Sequence, residues 1–368
     1  MNITITSTRS ATDTDNAALL ALSDSCPMHG AISLRIDRRP DFFAFASLEP
    51  GWSTVEVVDG ENGLAGCIAI SGRTLWLNGV ETPIAYVGDL KVHPAHRQGR
   101  VADTLIRRAA EVAGEHIGDR GTILCSTLSG NRAMERRAAG GLGLPVLDRI
   151  ATVRAHALPL LWHPGVRARH QTLRVRPASG TDVEEMVALW RANAPARQLA
   201  PSLDAESIAR WMMVPGLSYR LAHARNGRLA GFIALWDQRA IKQLRVLRYS
   251  PSLARVRALF NLAAPVLGAT RLPGAGEALR HIETLHLCVP SHDPVVLRAL
   301  ALSAHRELRS RAFAFVTIAL DVRDPLLAAL EGLWSQPTDV DIRLTSPGGR
   351  YAGPVIEGRP VHYETALV

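Results

Sequence analysis

The chain has 368 residues, 47% of them apolar and 21% charged, with a formal net charge of +8. That length suggests two or three domains, each able to bury a core, and the composition reads as an ordinary soluble globular protein. No run of about 18 apolar residues occurs, so no membrane-spanning helix is expected, and the polar opening "MNITITSTRSATDTDN" has no apolar core and is not expected to be a signal peptide.

The first half reads in order as follows. "TDTDNAALLALSDS" is a helix with Thr14 or Asp15 as its cap. "SCPMHGAISLRIDRRPDFFAFASL" is broken by Pro27 and Gly30, with a second helix expected near Pro40–Asp41. "STVEVVDGENGLAGCIAISGRTLWLNG" is a hairpin around "DGENG". "TPIAYVGDLKVHP" is a third strand, and "RVADTLIRRAAEVAGEH" is a helix with Val101, Leu105, Ile106 and Ala109 on one face. "GTILCSTLSG" is a strand, "NRAMERRAAGG" a short helix stopped by Gly140–Gly141, and "LPVLDRIATVRAHAL" a closing strand.

After the connector "PLLWHPGVRARHQT" the order starts again. "LRVRPASGTDVEEMVALWRAN" is a strand and then a helix, with Thr181 and Glu184 as a capping box. "GLSYRLAHARNGRLAGFIALWDQ" is a second hairpin, around Asn226–Gly227. A helix over "SLARVRALFNLAAPVLG", a strand "RHIETLHLCVP", a helix "DPVVLRALALSAHRELRSR", a strand "AFAFVTIALD", a helix "DPLLAALEGL" and a final strand "PVHYETALV" follow. The two hairpins share N-G at the turn and then L-A-G-x-I-A, at an offset of 165 from Leu64 to Leu229. This short internal match implies a duplicated α/β domain.

Charge and cysteines narrow the function. Lys91 and Lys242 are the only lysines, and arginine makes up the rest of the 42 basic residues. Basic charge favours an anionic partner: nucleic acid, an acidic membrane or a polyphosphorylated cofactor. The arginines are spread along the chain with no basic block carrying aromatics, so nucleic acid is not the expected partner. Cys26, Cys67, Cys125 and Cys288 fit neither a CxxC nor a zinc spacing, and read as free thiols in a reducing cytoplasm.

The stretch "DLKVHPAHRQGRVADTLIRRAAEVA" carries the chemistry. A strand passes through a short basic turn directly into an amphipathic helix. Consecutive amides at a helix N-terminus, with Arg97 and Arg100 beside them and Gly99 in the turn, suit a pyrophosphate. Val92-x-Pro94-x-x-Arg97-x-x-Arg100-x-Ala102, in this strand–turn–helix setting, resembles the acyl-CoA motif of the GNAT superfamily of N-acetyltransferases. The usual pattern is Arg/Gln-x-x-Gly-x-Gly/Ala, and Arg100 stands where a glycine is usual. The preceding hairpin and the later "STLSGNRAM" step match in order.

The resemblance covers residues 1–160 well, and 172–368 resemble a second, more divergent copy. It implies an α/β (α+β) fold of two tandem GNAT-like domains, each a central mixed β-sheet flanked by helices. The expected division is 1–160 with the acyl-CoA site, a linker at 161–171, and a degenerate copy at 172–368. Acetyl-CoA is the expected co-substrate, with no metal. Leu90, Lys91, Val92, Arg97, Gln98, Gly99, Arg100, Val101, Ala102 and Asn131 are the expected cofactor-binding residues.

Attack of an amine on a thioester needs a proton acceptor for the amine and a proton for the thiolate. The family often places a carboxylate on the central strand and a Tyr in the helix after Asn131. Asp89 lies on that strand and reads either as the base or as the ion-pair partner of Lys91. Tyr86 reads as a residue orienting water. Ala138 stands where the helix Tyr is expected, so the thiolate is expected to leave unassisted or to be protonated by water, with Ser126 and Ser129 nearby in sequence and reading as strand and cap residues. Asp37 and Asp41, with His29 and Arg38, fall in the stretch where the family builds its acceptor pocket, and read either as acceptor ligands or as a solvated loop beside Phe42, Phe43 and Phe45. The second half, with "CVPSHDP" in place of the basic turn, reads as cofactor-free.

The expected activity is transfer of acetyl from acetyl-CoA to a primary amine of a small molecule, or to a protein N-terminus or lysine, by a cytoplasmic monomer or homodimer with no membrane partner. The alternative is a non-catalytic acyl-CoA-binding or scaffold protein.

Overall fold

The computed structural model describes residues 8–48, 51–162, 173–309 and 311–368. All but the first two residues of the expected linker lie outside these. Among the described residues no helix is long and apolar enough to cross a membrane.

The first half runs β1 (Thr8–Ser10), α1 (Asn16–Ser25), β2 (Ile32–Asp37), β3 (Ser53–Gly60), β4 (Gly63–Leu77), β5 (Val80–Val92), α2 (Val101–Ile117), β6 (Thr122–Leu128), α3 (Arg132–Ala138) and β7 (Asp148–Pro159). The second runs β8 (Arg174–Pro177), α4 (Val183–Asn193), α5 (Ala205–Met212), β9 (Leu217–His223), β10 (Leu229–Trp236), β11 (Gln243–Tyr249), α6 (Pro251–Ala263), β12 (His281–Cys288), α7 (Pro294–Leu308), β13 (Phe315–Asp321) and β14 (Gln336–Thr345). Twelve strands form one mixed sheet in the order β1-β3-β4-β5-β6-β14-β7-β13-β12-β10-β9-β8. The order is a palindrome in which β8, β9, β10, β12, β13 and β14 repeat β1, β3, β4, β5, β6 and β7.

The last strands are exchanged. β14 pairs antiparallel with β6 (Ile342↔Ser126) and with β7 (Val340↔Val153), and β7 pairs with β13 (Ile318↔His156). Ile342 and Leu344 are fully buried beside Leu124 and Val153. The hydrophobic seam between the halves is therefore built from strands that each half lends to the other.

The shared L-A-G-x-I-A has a packing cause. A Cβ on Gly66 would sit 2.8 Å from the Lys91 carbonyl and 2.8 Å from Val101 of α2. A Cβ on Gly231 would sit 2.7 Å from the Cys288 carbonyl and 2.7 Å from Val296 of α7. In both halves a helix lies so close to the hairpin strand that only glycine fits. The same elements show matched register breaks, at Asp89 (φ 54°) in β5 and at His286 (φ 50°) in β12.

Several expectations are corrected. "AISLRID" is not loop but β2, and it pairs antiparallel with β11 of the second half (Arg245↔Arg35) as a separate two-stranded ribbon. The segment near Pro40 forms a 3₁₀ turn over Phe43–Leu48, not an α-helix. "PVHYETALV" is not the final strand. It is irregular, with a 3₁₀ turn at Thr365–Leu367, and the last strand is β14. The capping box before α4 is Ser179 with Asp182, two residues earlier than expected. α5 has its own cap, Asp204, and packs the indole of Trp211 into the core.

A fragment ending at residue 162 would lose β14 from between β6 and β7. It would expose the apolar edges that Ile342 and Leu344 cover. Expressed alone it should be insoluble or aggregated by size-exclusion chromatography; a soluble monomeric fragment would show that the exchange is dispensable.

Candidate active site

β5 and β6 pair in parallel only from Ile84↔Thr122 to Val87↔Cys125. Beyond that point they part. β5 bulges at Asp89 and rejoins β4 at Cys67↔Lys91, so residues 88–92 keep β4 on one side and have no strand partner on the other. A cavity of about 770 Å³ fills the fork, walled by β5, by β6 from Cys125 onward, and by Ile106, Ala109 and Ala110 of α2. Thr345, on the exchanged strand β14, lines it with a buried hydroxyl that has no hydrogen-bond partner.

The basic turn stands at the mouth of this fork. Pro94–His96 is a 3₁₀ turn, and α2 starts at Val101 with Arg100 at its N-cap and no side chain capping it. The first-turn amides are thus left for an outside acceptor. Asp103, the one carboxylate of that turn, is neutralised by Arg137 at 2.8 Å. Arg97 Nε donates to the Val92 carbonyl at 3.2 Å, tying the turn to the strand end.

Of the expected cofactor residues, Leu90, Lys91, Val92, Arg97 and Asn131 line the cavity. Gln98, Gly99 and Arg100 form the exposed turn beside it. Val101 is buried under α2, Ala102 is half-buried, and neither lines the cavity. Asn131 caps α3, its side chain accepting from Met134 N at 3.3 Å.

A second, smaller cavity of about 70 Å³ lies beside β5, lined by Phe42, Phe45, Trp52, Arg73 and Tyr86. Gly88 and Asp89 line both cavities. The wall between them is therefore one strand thick. A Cβ at Gly88 would stand 2.8 Å from the Tyr86 ring, so glycine lets that ring lie against the wall.

Asp89 is half-buried in this wall, with one carboxylate oxygen on the Arg38 guanidinium and the other on the Lys91 ammonium. Burial alone would raise its pKa. Attraction to Arg38 and Lys91 outweighs that and holds the carboxyl well below the usual carboxylate range. It is an ionised anchor with both oxygens engaged, not an open proton acceptor. Arg38 in turn lies 5.0 and 4.9 Å from the ring centres of Phe42 and Phe45. Lys242, buried 4.6 Å from the Phe45 ring centre, donates to the Val368 carbonyl at 2.6 Å. Burial, with the Arg38 charge, pushes its pKa down to about 8. Both lysines of the chain thus converge here.

Tyr86 is buried under the Arg73 guanidinium, 4.2 Å from the ring centre. Its hydroxyl lies 3.5 Å from Ser126 Oγ, and Tyr363 donates a hydrogen bond to the same oxygen. Ser126 lines the first cavity and Tyr86 the second. Ser129 donates to Asp341 at 2.9 Å. Cys125 also lines the fork, but burial pushes its thiol up to about 12, which leaves it a poor nucleophile.

Asp37 and Asp41 line neither cavity. Asp37 accepts from Arg245 Nε at 2.6 Å and from Arg39 at 2.9 Å, locking β2 to β11. Asp41 is exposed and accepts from Phe43 N at 2.8 Å, capping the 3₁₀ turn. The sequence marks Lys242 only as one of two lysines and gives Tyr363 no role. Each reaches the site from a segment more than a hundred residues away in the chain, and no local pattern marks either.

The fork of the second half is equipped differently. β12 and β13 part after Glu283↔Thr317, beside a cavity of about 260 Å³. Arg197 in its lining is paired with the buried Asp324 at 2.6 Å and lies 3.2 Å from His292. His286, at the position of Asp89, is held by Tyr219 at 2.6 Å, and its amide donates to Glu364 at 2.6 Å.

Two stability measurements follow from the charges. Asp89→Asn leaves Arg38 and Lys91 buried without their counter-ion, and should cost about 3 kcal/mol, the scale of breaking a buried pair. Thermal unfolding reads this; an unchanged midpoint would show that the pair is solvated. For Lys242 the folded pKa lies below the unfolded one, so its charged form is penalised below pH 8. Stability should therefore rise with pH from about 8 to about 10.4. In Lys242→Met that rise should vanish from denaturant titrations across the same window.

No protein-family model matches the sequence, and no curated protein sequence matches it. Solved structures do match. The N-myristoyltransferase of Saccharomyces cerevisiae, with bound myristoyl-CoA, covers 96% of this chain and 84% of its own, with a TM-score of 0.60 and 13% identity. GCN5-related N-acetyltransferases from Anabaena variabilis and Kribbella flavida cover 93% and 94% of this chain and 72% of theirs, with TM-scores of 0.52 and 0.50 and identities of 12% and 14%. Identities this low carry the fold, and they carry it across both halves. The chain shares its fold with these acyltransferase structures over nearly its whole length.

Proposed function

We propose that the protein is an acyl-CoA-dependent N-acyltransferase, with the co-substrate in the first half. The observation that carries this reading is the fork between β5 and β6, separated from a second cavity only by Gly88 and Asp89. A pantetheine arm has amides that pair like a strand, and residues 88–92 offer an unpaired strand edge on the side of the larger cavity. The lone Thr345 hydroxyl in that cavity is a buried polar group in want of a partner. The first turn of α2, with Arg97 and Arg100, suits the pyrophosphate. CoA supplies the activated thioester. Everything else in the reaction falls to the chain.

An amine entering the second cavity would meet the thioester at Gly88. A C–N bond forms, the C–S bond breaks, the nitrogen gives up one proton and the sulfur takes one. Acetyl is the proposed acyl group and a small-molecule primary amine the proposed acceptor, since the second cavity encloses only about 70 Å³. Asp89 acts by charge, fixing Arg38 and Lys91 in the wall. The division proposed is a transferring half over 1–160 and a second half over 172–368 that completes the sheet and covers the acceptor side.

Calorimetry with acetyl-CoA tests the reading. Binding tighter than about 1 mM, worth about 4 kcal/mol, is expected. Arg97→Ala should weaken it by about 1–3 kcal/mol, the scale of a hydrogen bond to a charged group. An acceptor screen with detection of free thiol then separates a transferase from a protein that only binds the co-substrate. Absence of binding would sink the proposal; an unchanged affinity in Arg97→Ala would remove that residue from the phosphate site.

A further inference from the structure

Transfer moves one proton from nitrogen to sulfur, and the two atoms would approach the wall from opposite cavities. The carboxylate in the wall does not serve this step, because Arg38 and Lys91 occupy both its oxygens. Cys125 has its thiol buried and raised, and Ser129 is committed to Asp341. Two hydroxyls remain at the wall itself. Tyr86 faces the amine side, and a Cβ at Gly88 would lie 3.0 Å from its oxygen, which puts that oxygen beside the shared residue. Ser126 faces the fork on the thiol side, one residue past the last β5–β6 pair.

We propose that Tyr86 and Ser126 form a proton relay through the wall, and that Tyr363 positions Ser126. This rests on the acyltransferase reading above. Ser126 Oγ has two lone pairs and one hydrogen. Tyr363 donates to one lone pair, and the Tyr86 hydroxyl stands 3.5 Å from the same oxygen, at the outer edge of a hydrogen bond. In the relay the Tyr86 hydroxyl donates to the other lone pair, which leaves the serine hydrogen to point into the fork.

In the step, the nitrogen proton passes to the Tyr86 oxygen. The Tyr86 proton passes to Ser126 Oγ, and the Ser126 proton passes to the sulfur as the C–S bond breaks. Every oxygen ends as it began, and no outside acid or base is consumed. No phenolate forms, which agrees with a site where burial raises the pKa of both phenols. The Arg73 guanidinium stacked 4.2 Å from the Tyr86 ring centre holds that ring in register. Tyr363 arrives from the segment after β14, so the second half sets the hydrogen direction at the first half's site.

The test uses the full chain, acetyl-CoA, and hydroxylamine as a small neutral amine whose hydroxamate product is coloured with iron. Acetyl-CoA affinity is measured beside the rate for Ser126→Ala, Tyr86→Phe, Ser126→Ala/Tyr86→Phe and Tyr363→Phe. Affinity should stay within twofold throughout. Ser126→Ala and Tyr86→Phe should each lower kcat about a hundredfold or more, the range of proton-transfer catalysis. The double variant should be no slower than the worse single one, because either change cuts one chain. Tyr363→Phe should lower kcat about tenfold with KM unchanged, and should lose the multi-proton curvature of the rate in mixed light and heavy water.

Unchanged rates with binding retained, or losses that multiply in the double variant, would overturn the relay alone. A wild type that neither binds acetyl-CoA nor accelerates hydroxamate formation would overturn the acyltransferase reading and the relay with it.

Discussion

A twelve-stranded sheet with a fork in it must support an unpaired strand edge in its interior. Residues 88–92 present backbone groups to a cavity instead of to a neighbouring strand, and such groups are costly to bury unpaired. The surrounding structure is arranged to hold the fork open. α2 presses Val101 onto β4 through the gap at Gly66. The bulge at Asp89 is kept in its left-handed conformation by two cations on its side chain. β14 braces β6 from its far side over six paired positions. Under the proposed function, a ligand that brings its own amides would complete the sheet along this edge.

The same wall concentrates charge. A chain that uses arginine for all but two of its 42 basic residues places both lysines against the aromatic ring pair of the second cavity, Lys91 near Phe42 and Lys242 near Phe45. Lysine has a compact ammonium whose pKa moves readily when buried, whereas a guanidinium stays charged. Lys242 is the group that shows it. The two halves meet at this point physically: Arg38 comes off β2, Lys242 precedes β11, and those two strands pair with each other as a separate ribbon. The ribbon β2–β11, pinned by Asp37 to Arg245, sets the depth to which both cations reach.

Much of the fork was legible in the sequence, because its parts are local. Strand, basic turn and helix follow one another without a break, and the L-A-G-x-I-A repeat announces the close helix packing that Gly66 and Gly231 permit. The rest depends on contacts between distant segments. "AISLRID" alternates as a strand should, but its partner lies about two hundred residues on, and between Pro27 and Pro40 it reads as loop. Asp37, which reads from sequence either as an acceptor ligand or as part of a solvated loop, is the buried clasp of that ribbon. The segment "PVHYETALV" has strand-forming residues, yet its polar groups are spent on three different elements: the Val361 amide on Asp321, the Tyr363 hydroxyl on Ser126, and the Glu364 carboxylate on the His286 amide. An irregular path is what lets one short segment serve all three.

Duplication explains why the second fork carries different equipment. The equivalent bulge bears His286 where the first bears Asp89, and burial holds its pKa down to about 4, so that it sits neutral between Tyr219 and Glu364. Its neighbours are Trp190 and Trp211, packed edge-on against the imidazole. Arg197, Asp324 and His292 satisfy one another at the mouth, where the first half has the open turn of Arg97 to Arg100. The polar groups of the second fork are thus paired among themselves. The segment 361–368 is anchored there through Glu364 and brings Tyr363 to the other fork, so that the second half fixes a hydrogen bond at the first half's fork.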